Sequence, residues 1–227
     1  WVEQLPYASL DGIWLYRLEV LGIYIFLLLF LYYLKTRRFR NLVVCFSCLL
    51  CLGIYHTVMR WYDRPCPSLV FYNVRGCPAI HCIAEDGTSW LNYADTLSDK
   101  RRLQAVAANY WRRHQLLPPI EVTADCQNVD FCRHQQIVFY HGCRICMVTD
   151  NRWRNKSAAS PLFINYMYLC KGYNGRLEEL TGLFSPSCIL LDASLSDDRK
   201  QFFREECKRL HLHFITLSEE GSVRFLL

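Results

Sequence analysis

Two long apolar runs near the start of the chain constrain its fold more than any other feature. Residues 20–34 read VLGIYIFLLLFLYYL, and residues 42–59 read LVVCFSCLLCLGIYHTVM. An α-helix rises about 1.5 Å per residue, so about 20 residues cross a bilayer core of about 30 Å. The pattern predicts a transmembrane helical hairpin over residues 18–60. Each run is slightly short alone, but aromatic residues, which favour the headgroup level, extend both: Trp14, Tyr16, Tyr32, Tyr33, Trp61 and Tyr62.

The loop between the two runs predicts the orientation of the hairpin. Residues 35–41 read KTRRFRN and carry four cations, and cytoplasmic loops are enriched in Lys and Arg. We therefore expect residues 35–41 in the cytoplasm and residues 1–17 and 61–227 on the outer side. The chain opens on Trp1, without the basic start or cleavage site of a signal peptide. We expect it to be the C-terminal part of a longer membrane protein.

Composition sets broad limits on the rest of the chain. The 227 residues carry a net charge of +5, which suits an anionic partner or a lipid surface without selecting either. About 165 residues follow the hairpin, enough for one globular domain with a core of its own. Of the thirteen cysteines, three lie in the second apolar run and ten follow it. An oxidising compartment would permit disulfides among those ten, but their spacing does not give the pairing.

The soluble part reads as an α+β domain. Turn signals at Asp86-Gly87 and His141-Gly142 separate β-rich segments. Apolar residues at helical spacing predict helices over residues 99–115 and 176–184. A capping box that begins at Ser194 predicts the start of a third helix, which ends near Leu210. Strands are predicted at residues 68–74, 79–84, 89–93, 120–123, 136–140, 143–149, 162–169 and 188–191, with a last hairpin of 214–217 and 222–227.

Two stretches of this domain resemble a known family. Residues 69–95, LVFYNVRGCPAIHCIAEDGTSWLNYAD, resemble the opening of a metallo-β-lactamase-like domain, which has an early hairpin and a short strand ending in Asp. Residues 163–175, FINYMYLCKGYNG, and the elements that follow them resemble its end, where a strand leads into an HHGS metal loop. With the hairpin in front, the chain resembles the C-terminal part of ComEC-type competence proteins, DNA-internalisation channels, in the form seen in Bacteroides-like bacteria.

The resemblance implies an αββα-type scaffold in the bacterial inner membrane, with the soluble domain facing the periplasm. It implies DNA, the lipid bilayer and further channel helices as partners. The family's HxHxDH loop is missing, and Cys170-Lys171-Gly172-Tyr173 stands at the HHGS position. Two-metal hydrolysis needs converging imidazoles and carboxylates. We therefore expect a degenerate scaffold without metal, cofactor or catalytic residues, with Asp95, Cys170, Lys171 and Gly172 at the former metal-loop positions.

Two other groups have metal-ligand spacing. His211 and His213 lie where a helix ends, and a favourable contact of a cation with the helix dipole explains them better than a metal. Cys143 and Cys146 lie on a predicted strand, where residues three apart point to opposite faces. These two thiols are not expected to share one metal ion.

Cations next to aromatic residues predict contact with single-stranded DNA, since Arg pairs with phosphate and bases stack on rings. A solvated surface, with Arg stems covering apolar side chains, is the alternative. The helical spacing of Trp111 predicts that it is buried. The candidate DNA contacts are Arg112, Arg113, Arg152, Trp153 and Arg154.

Three functions remain open at this point. The first is a DNA-uptake membrane protein whose outward domain is catalytically silent. The second is a membrane-tethered, metal-dependent hydrolase or nuclease with unrecognised ligands. The third is a membrane-anchored interaction domain without a nucleic-acid role.

Overall fold

The computed structural model describes residues 14–94, 100–128 and 130–227. These residues form two compact units. The hairpin unit consists of the described part of Trp1–Arg64 together with Asn109–Gln115. The sheet unit consists of the described residues of Pro65–Ala108 and Leu116–Leu227.

The hairpin unit contains two long apolar helices, as predicted. They are α1, Arg17–Thr36, and α2, Phe39–Tyr62. Both are long and apolar enough to cross a membrane, and only 6% of the span window of each is buried. Since a helix that is apolar all round belongs in a protein core or in a membrane, this exposure favours the membrane. Gly22 permits close helix packing, because a Cβ there would lie 2.3 Å from Cδ2 of Leu52.

The sheet unit contains a five-stranded sheet, which is antiparallel except for one pair. Its strand order is β12-β1-β2-β3-β4, with β3 and β4 parallel. The strands are β1 Ser68–Phe71, β2 Ala79–Ile83, β3 Ser89–Tyr93, β4 Ile120–Val122 and β12 Val223–Leu226.

A seven-stranded sheet, in the order β11-β10-β9-β8-β7-β6-β5, forms the second layer. Strands β5 to β8 pair antiparallel, and β8 to β11 pair parallel. The strands are β5 Cys126–Gln127, β6 Phe131–His134, β7 Ile137–Tyr140, β8 Cys143–Val148, β9 Leu162–Leu169, β10 Phe184–Leu191 and β11 Phe214–Thr216. The helices that follow α2 are α3 Lys100–Arg113, α4 Leu177–Thr181, α5 Asp197–Arg209 and α6 Leu217–Glu220.

The main core lies between the two sheets. Trp90 of β3 stacks on Phe131 of β6 with ring centroids 5.5 Å apart, and Phe71 of β1 meets Tyr168 of β9 edge to face at 5.3 Å. All four side chains are buried. Large aromatic side chains stabilise a core mainly by the apolar area that they remove from water.

Helices cover the outer face of the seven-stranded sheet and form a second core. Met167 and Ile189 point away from the inter-sheet core and pack in one cluster with Leu180 of α4 and Phe203 and Cys207 of α5. Alternate residues of β9 and β10 therefore serve two different cores, which explains why residues 166–169 and 188–191 read as continuous apolar runs.

The sheet-unit part of α3 lies at the outer face of the five-stranded sheet. The Lys100 ammonium lies 4.9 Å from the ring centroid of Tyr93 and 2.6 Å from Oε2 of Glu121 in β4. Leu103 and Ala107 are buried. The predicted mixed α and β domain is confirmed in this coarse form, and its assignment to the metallo-β-lactamase-like fold stays a prediction.

Both predicted tight turns are confirmed. Asp86-Gly87 joins β2 to β3, with Ile83 opposite Ser89. His141 and Gly142 have φ values of 44° and 76°, and they join β7 to β8 with Tyr140 opposite Cys143. Two successive positive φ values belong to the type I′ turn, whose twist matches that of the flanking strands.

The predicted last hairpin is wrong. Strand β11 pairs parallel with β10, whereas β12 pairs antiparallel with β1 in the other sheet. Helix α6 lies between them and inserts Leu217 into the inter-sheet core. The chain therefore crosses from one sheet to the other at the segment that resembles a hairpin turn.

Three local assignments also differ from the sequence prediction. Ser196, not Ser194, is the N-cap of α5, and its side chain accepts a hydrogen bond from the backbone N–H of Arg199 at 3.4 Å. Helix α4 ends at Thr181, because Phe184 already begins β10. The short strands β5 and β6 have no strong periodicity, and the sequence does not predict them.

Candidate functional site

A cleft of about 460 Å³ opens at the carboxyl ends of three parallel strands of the sheet unit. Thr149 and Asp150 follow β8, Cys170 and Lys171 follow β9, and Ser194 comes shortly after β10. We call it the strand-end cleft. Ligands of α/β proteins bind in this position, because the loops at this edge converge there.

A second cavity, of about 220 Å³, adjoins the strand-end cleft and shares Ala94 and Thr149 with it. Arg133, Gln136 and Arg152 line it. The chain continues from Ala94 to Asp95, a predicted metal-loop position that lies outside the described residues. We call the two adjoining cavities together the groove.

Cys170, at the first position of the predicted metal loop, is buried at the base of the cleft. Burial raises the pKa of its thiol well above the ordinary value, and the nearby Asp192 carboxyl raises it further. Because the thiolate is the form that attacks electrophiles, a thiol held protonated is a poor nucleophile. Its position supports the cleft rather than chemistry in it.

Asp192, at the end of β10, organises the loops around the cleft. Tyr168 donates a hydrogen bond to its Oδ1, and the backbone N–H of Ser194 donates to Oδ2 at 2.7 Å. Burial raises the pKa of this carboxyl, and the hydrogen bonds from Ser194 and Tyr168 oppose the rise. Ser194 Oγ in turn accepts from the backbone N–H of Lys171 at 3.1 Å. The buried carboxyl therefore positions the Lys171 loop.

Gly172 is required by the geometry of that loop. Its φ is +116°, and a Cβ there would lie 2.2 Å from the carbonyl oxygen of Thr149. Only glycine lets the ends of β8 and β9 approach so closely. Gly172 thus acts in the architecture of the cleft.

The cations along the groove differ in how they are paired. Lys171 is exposed, and its ammonium has no partner among the described residues. Arg152 binds Asp150 at 2.8 Å. Arg133, which the sequence prediction missed, donates to the carbonyl oxygen of Val122 at 2.7 Å. With Asp125 and Asp150 as the two acids on the walls, the groove carries a net charge of about +1.

The other two predicted DNA contacts of this unit lie close to the groove. Trp153 donates from Nε1 to Oε1 of Gln136 at 2.6 Å and meets Phe184 edge to face at 5.0 Å. The Lys156 ammonium lies 5.4 Å from its ring centroid. Arg154 forms a long ion pair with Glu179, at 3.7 Å. Trp153 is therefore anchored by one edge and only partly buried.

Arg112 and Arg113 belong to the hairpin unit, so the five predicted DNA contacts do not form one patch within a unit. Arg113 donates to both oxygens of Asp63, at 3.1 and 3.2 Å. Trp111, predicted to be buried, is half-buried.

The pairs with metal-ligand spacing do not converge on a metal site. Cys146 packs in the core beneath α4 and α5, and Cys143 packs against the inter-sheet core, so the predicted opposite orientation is confirmed. His213 contacts Cys188, with Nδ1 and Sγ 3.2 Å apart. Within residues 14–94, 100–128 and 130–227, no three His, Cys, Asp or Glu side chains are grouped as metal ligands would be. The described residues of the cleft do not fit a two-metal centre. At the predicted metal-loop positions, the exposed side chain that faces the cleft is Lys171, a cation rather than a metal ligand.

Comparisons with known proteins agree with the resemblance in the sequence. The family model described as the ComEC C-terminal domain matches residues 69–227, well over half of the chain. Searches of curated proteins and of solved structures give no match. The matched region begins in β1 and includes every later strand and the whole strand-end cleft. Membership suggests a part in competence DNA uptake and an association with membranes. This chain belongs to the ComEC family, and residues 69–227 are its ComEC C-terminal domain.

Proposed function

We propose that the chain works in DNA uptake across the bacterial inner membrane, with α1 and α2 in the bilayer and the sheet unit on the periplasmic side. Its sheet unit contacts single-stranded DNA along the strand-end cleft and does not cut it. The full-length protein supplies the other channel helices. Family membership supports the process, and the two exposed apolar helices support the membrane location.

The observation that carries the proposal is the chemistry of the cleft at the predicted metal-loop positions. Cys170 is buried, and its thiol is held protonated. The neighbouring Lys171 is exposed, and its ammonium has no partner among the described residues. A fixed positive charge repels a metal cation and attracts a phosphate group. The scaffold therefore suits an anionic chain better than a hydrolytic metal centre.

The proposed DNA path follows the exposed cations of the groove. Lys171 and Arg152 would neutralise phosphates, with Arg154 beside them and Trp153 as a stacking platform for a base. Arg152 is already oriented by Asp150, so a phosphate would compete with that carboxylate for the guanidinium. Arg112 and Arg113, in the hairpin unit, are not needed for this path.

One observation favours a second candidate, a membrane-anchored interaction domain without a nucleic-acid role. Arg113, Arg152 and Arg154 are each paired with a carboxylate. Paired surface cations are typical of an ordinary solvated surface. Under this reading the groove carries too little unpaired charge to hold DNA.

The test measures binding of a labelled single-stranded oligonucleotide by the full chain in nanodiscs of neutral lipid. The variant K171Q/R152Q should bind more weakly. The slope of log affinity against log salt should become less steep by about 1.4, because each lost phosphate contact removes about 0.7 for single strands. The matched control is R101Q/R144Q, which removes two exposed arginines outside the groove. Equal affinities and slopes for parent and groove variant would support the interaction-domain reading.

A second arm tests for hydrolysis. The same preparation, incubated with labelled DNA and added zinc or manganese, should leave the DNA intact. Stoichiometric bound metal, together with cleavage that a chelator abolishes, would instead establish a metal-dependent hydrolase with ligands that include residues outside the described part of the chain.

A further inference from the structure

The hairpin unit contains a cavity of about 180 Å³ that the proposed DNA path does not use. Its walls include Arg60 from the last turn of α2 and Arg112 and Arg113 from the end of α3. Trp14, Tyr16, His56 and Gln115 also line it. We call it the hairpin-end cavity.

The acidic side chains next to the cavity walls already have partners. Tyr16 donates from its hydroxyl to Oδ2 of Asp63 at 2.6 Å, and Arg113 donates to the same carboxylate. Burial alone would raise the pKa of Asp63, but the hydrogen bonds from Arg113 and Tyr16 outweigh it and lower the pKa, so the carboxylate is charged at neutral pH. Glu19 binds His56, with Oε1 2.6 Å from Nδ1.

Two guanidiniums remain without an acidic partner among the described residues. They belong to Arg60 and Arg112, and both side chains are exposed. The Arg60 backbone is held in place, because its carbonyl oxygen accepts from Nε2 of Gln115 at 3.2 Å. Nε1 of Trp14 is buried and lacks a hydrogen-bond acceptor among the described residues. Three donors for which the described residues show no side-chain acceptor therefore line one cavity.

The position of the cavity selects the class of ligand. Trp14 and Tyr16 precede the first span, and Trp61 and Tyr62 end the second. Trp and Tyr collect at the headgroup level of a bilayer. When the hairpin spans the membrane, the cavity lies at the depth of the lipid phosphates. Beside it, the apolar surfaces of α1 and α2 are exposed and would be covered by acyl chains.

We propose that the hairpin-end cavity binds the phosphate of an anionic phospholipid headgroup. The Arg60 and Arg112 guanidiniums pair with the phosphate oxygens, and Trp14 Nε1–H donates to one of them. Guanidinium groups match phosphate geometry and form charge-assisted hydrogen bonds with it. Phosphatidylglycerol should bind better than phosphatidylcholine, because the choline cation of the latter competes for its own phosphate. This inference rests on the proposed membrane-spanning hairpin.

The test uses the full chain, delipidated in neutral detergent, and follows binding by native mass spectrometry with thermal unfolding as a second readout. Phosphatidylglycerol should bind saturably and raise the unfolding temperature more than phosphatidylcholine does. R60Q and R112Q should each lower the affinity for phosphatidylglycerol about tenfold or more, since a hydrogen bond to a charged group contributes about 1.5–3 kcal/mol. Trp14→Phe, which removes only the neutral donor, should lower it less. The matched control R101Q/R144Q should bind like the parent.

Separate arms distinguish the sources of phosphate. Inorganic phosphate at the same concentration should not displace the lipid, and R60Q and R112Q should bind a single-stranded oligonucleotide as tightly as the parent does. Displacement by inorganic phosphate would show a small-anion site instead. A parallel loss of oligonucleotide affinity would show a DNA site, and equal binding of both lipids would also overturn the proposal.

Alkaline carbonate extraction of membranes separates this inference from the one on which it rests. Release of the chain into the soluble fraction would overturn the membrane-spanning hairpin itself. A chain that stays in the membrane but does not prefer phosphatidylglycerol would overturn only the lipid site.

Discussion

At the scale of single residues, His81, in the middle of β2, is an ionisable group that the sheet unit buries completely. Its side chain is fully buried, and its Nδ1 lies 2.8 Å from the hydroxyl of Tyr72. Burial lowers the pKa of the imidazole from 6.5 to about 3. The folded sheet unit therefore contains His81 as the neutral imidazole, and protonation of this side chain disfavours the folded state.

This burial predicts acid sensitivity with a definite sign. Between pH 6.5 and about 3 the unfolded chain binds one proton more at His81 than the folded chain does. Stability is therefore lost as the pH falls through this window, by about 1.4 kcal/mol per pH unit and about 2.7 kcal/mol at pH 4.5. Urea unfolding of the full chain in detergent, repeated from pH 7 to pH 4.5, measures the effect.

His81→Gln serves as the comparison, because glutamine keeps a hydrogen-bonding partner for Tyr72 but does not titrate. The difference in free energy of unfolding between parent and variant should shift by those amounts over the same pH range. A difference that stays constant from pH 7 to pH 4.5 would contradict the assignment.

A second residue-scale prediction concerns Gly172. In Gly172→Ala the new Cβ meets the Thr149 carbonyl oxygen at 2.2 Å, and the backbone keeps a φ that alanine disfavours. Gly76→Ala is the matched control, because its φ is +84° but the space around its Cβ is open. We expect the control to lose about 1 kcal/mol from backbone strain alone and Gly172→Ala to lose about 3 kcal/mol or more. Thermal unfolding should rank the two, and equal losses would remove the argument that the ends of β8 and β9 require glycine.

At the scale of elements, local signals predict strands and turns well, and tertiary placement decides the errors. Residues 89–93 and 162–169 are strands over the predicted bounds, because short runs rich in aromatic and aliphatic residues lie between turn signals. The last hairpin fails because two strands with a turn between them carry the same pattern whether they share a sheet or not. The crossing is seen only in the structure, where β11 and β12 pair in different sheets and Leu217 is buried between them.

The candidate site was predictable in its parts but not as a whole. Sequence resemblance pointed to Cys170, Lys171 and Gly172, and the mixture of cations and aromatics pointed to Arg152. The parallel order of β8, β9 and β10 brings these segments to one cleft, and that order involves contacts distant in sequence. Arg133 was missed because its role depends on the Val122 carbonyl oxygen, which lies on another sheet.

The cap of α5 gives an element-scale prediction. Ser196 caps the helix, whereas Ser194 serves the Lys171 loop. Ser196→Ala should lower the free energy of unfolding by about 1 kcal/mol, because the backbone N–H of Arg199 loses its acceptor. Ser157→Ala, at an exposed position outside regular structure, is the control and should change it by less than about 0.5 kcal/mol. A Ser196→Ala variant as stable as this control would refute the cap.

At the scale of the whole molecule, the two ends of the hairpin differ in the number of cations next to the spans. The turn between α1 and α2 carries cations alone, Lys35, Arg37, Arg38 and Arg40. The opposite end carries fewer cations next to the spans, namely Arg17, Arg60 and Arg64. Because short basic loops are retained in the cytoplasm, this asymmetry favours the sheet unit on the outer side.

The orientation can be measured with reporters fused after Leu227 in a bacterial host. Alkaline phosphatase, which folds only outside the cytoplasm, should be active, and a reporter that fluoresces only in the cytoplasm should be dark. Changing Lys35, Arg37, Arg38 and Arg40 to glutamine should weaken this bias, because it removes the charges that retain the turn. A control with two exposed arginines of the sheet unit changed, R101Q/R144Q, should leave it unchanged. Fluorescence from the cytoplasmic reporter together with inactive phosphatase would place the strand-end cleft in the cytoplasm, and DNA entering from outside would then meet it only after crossing the bilayer.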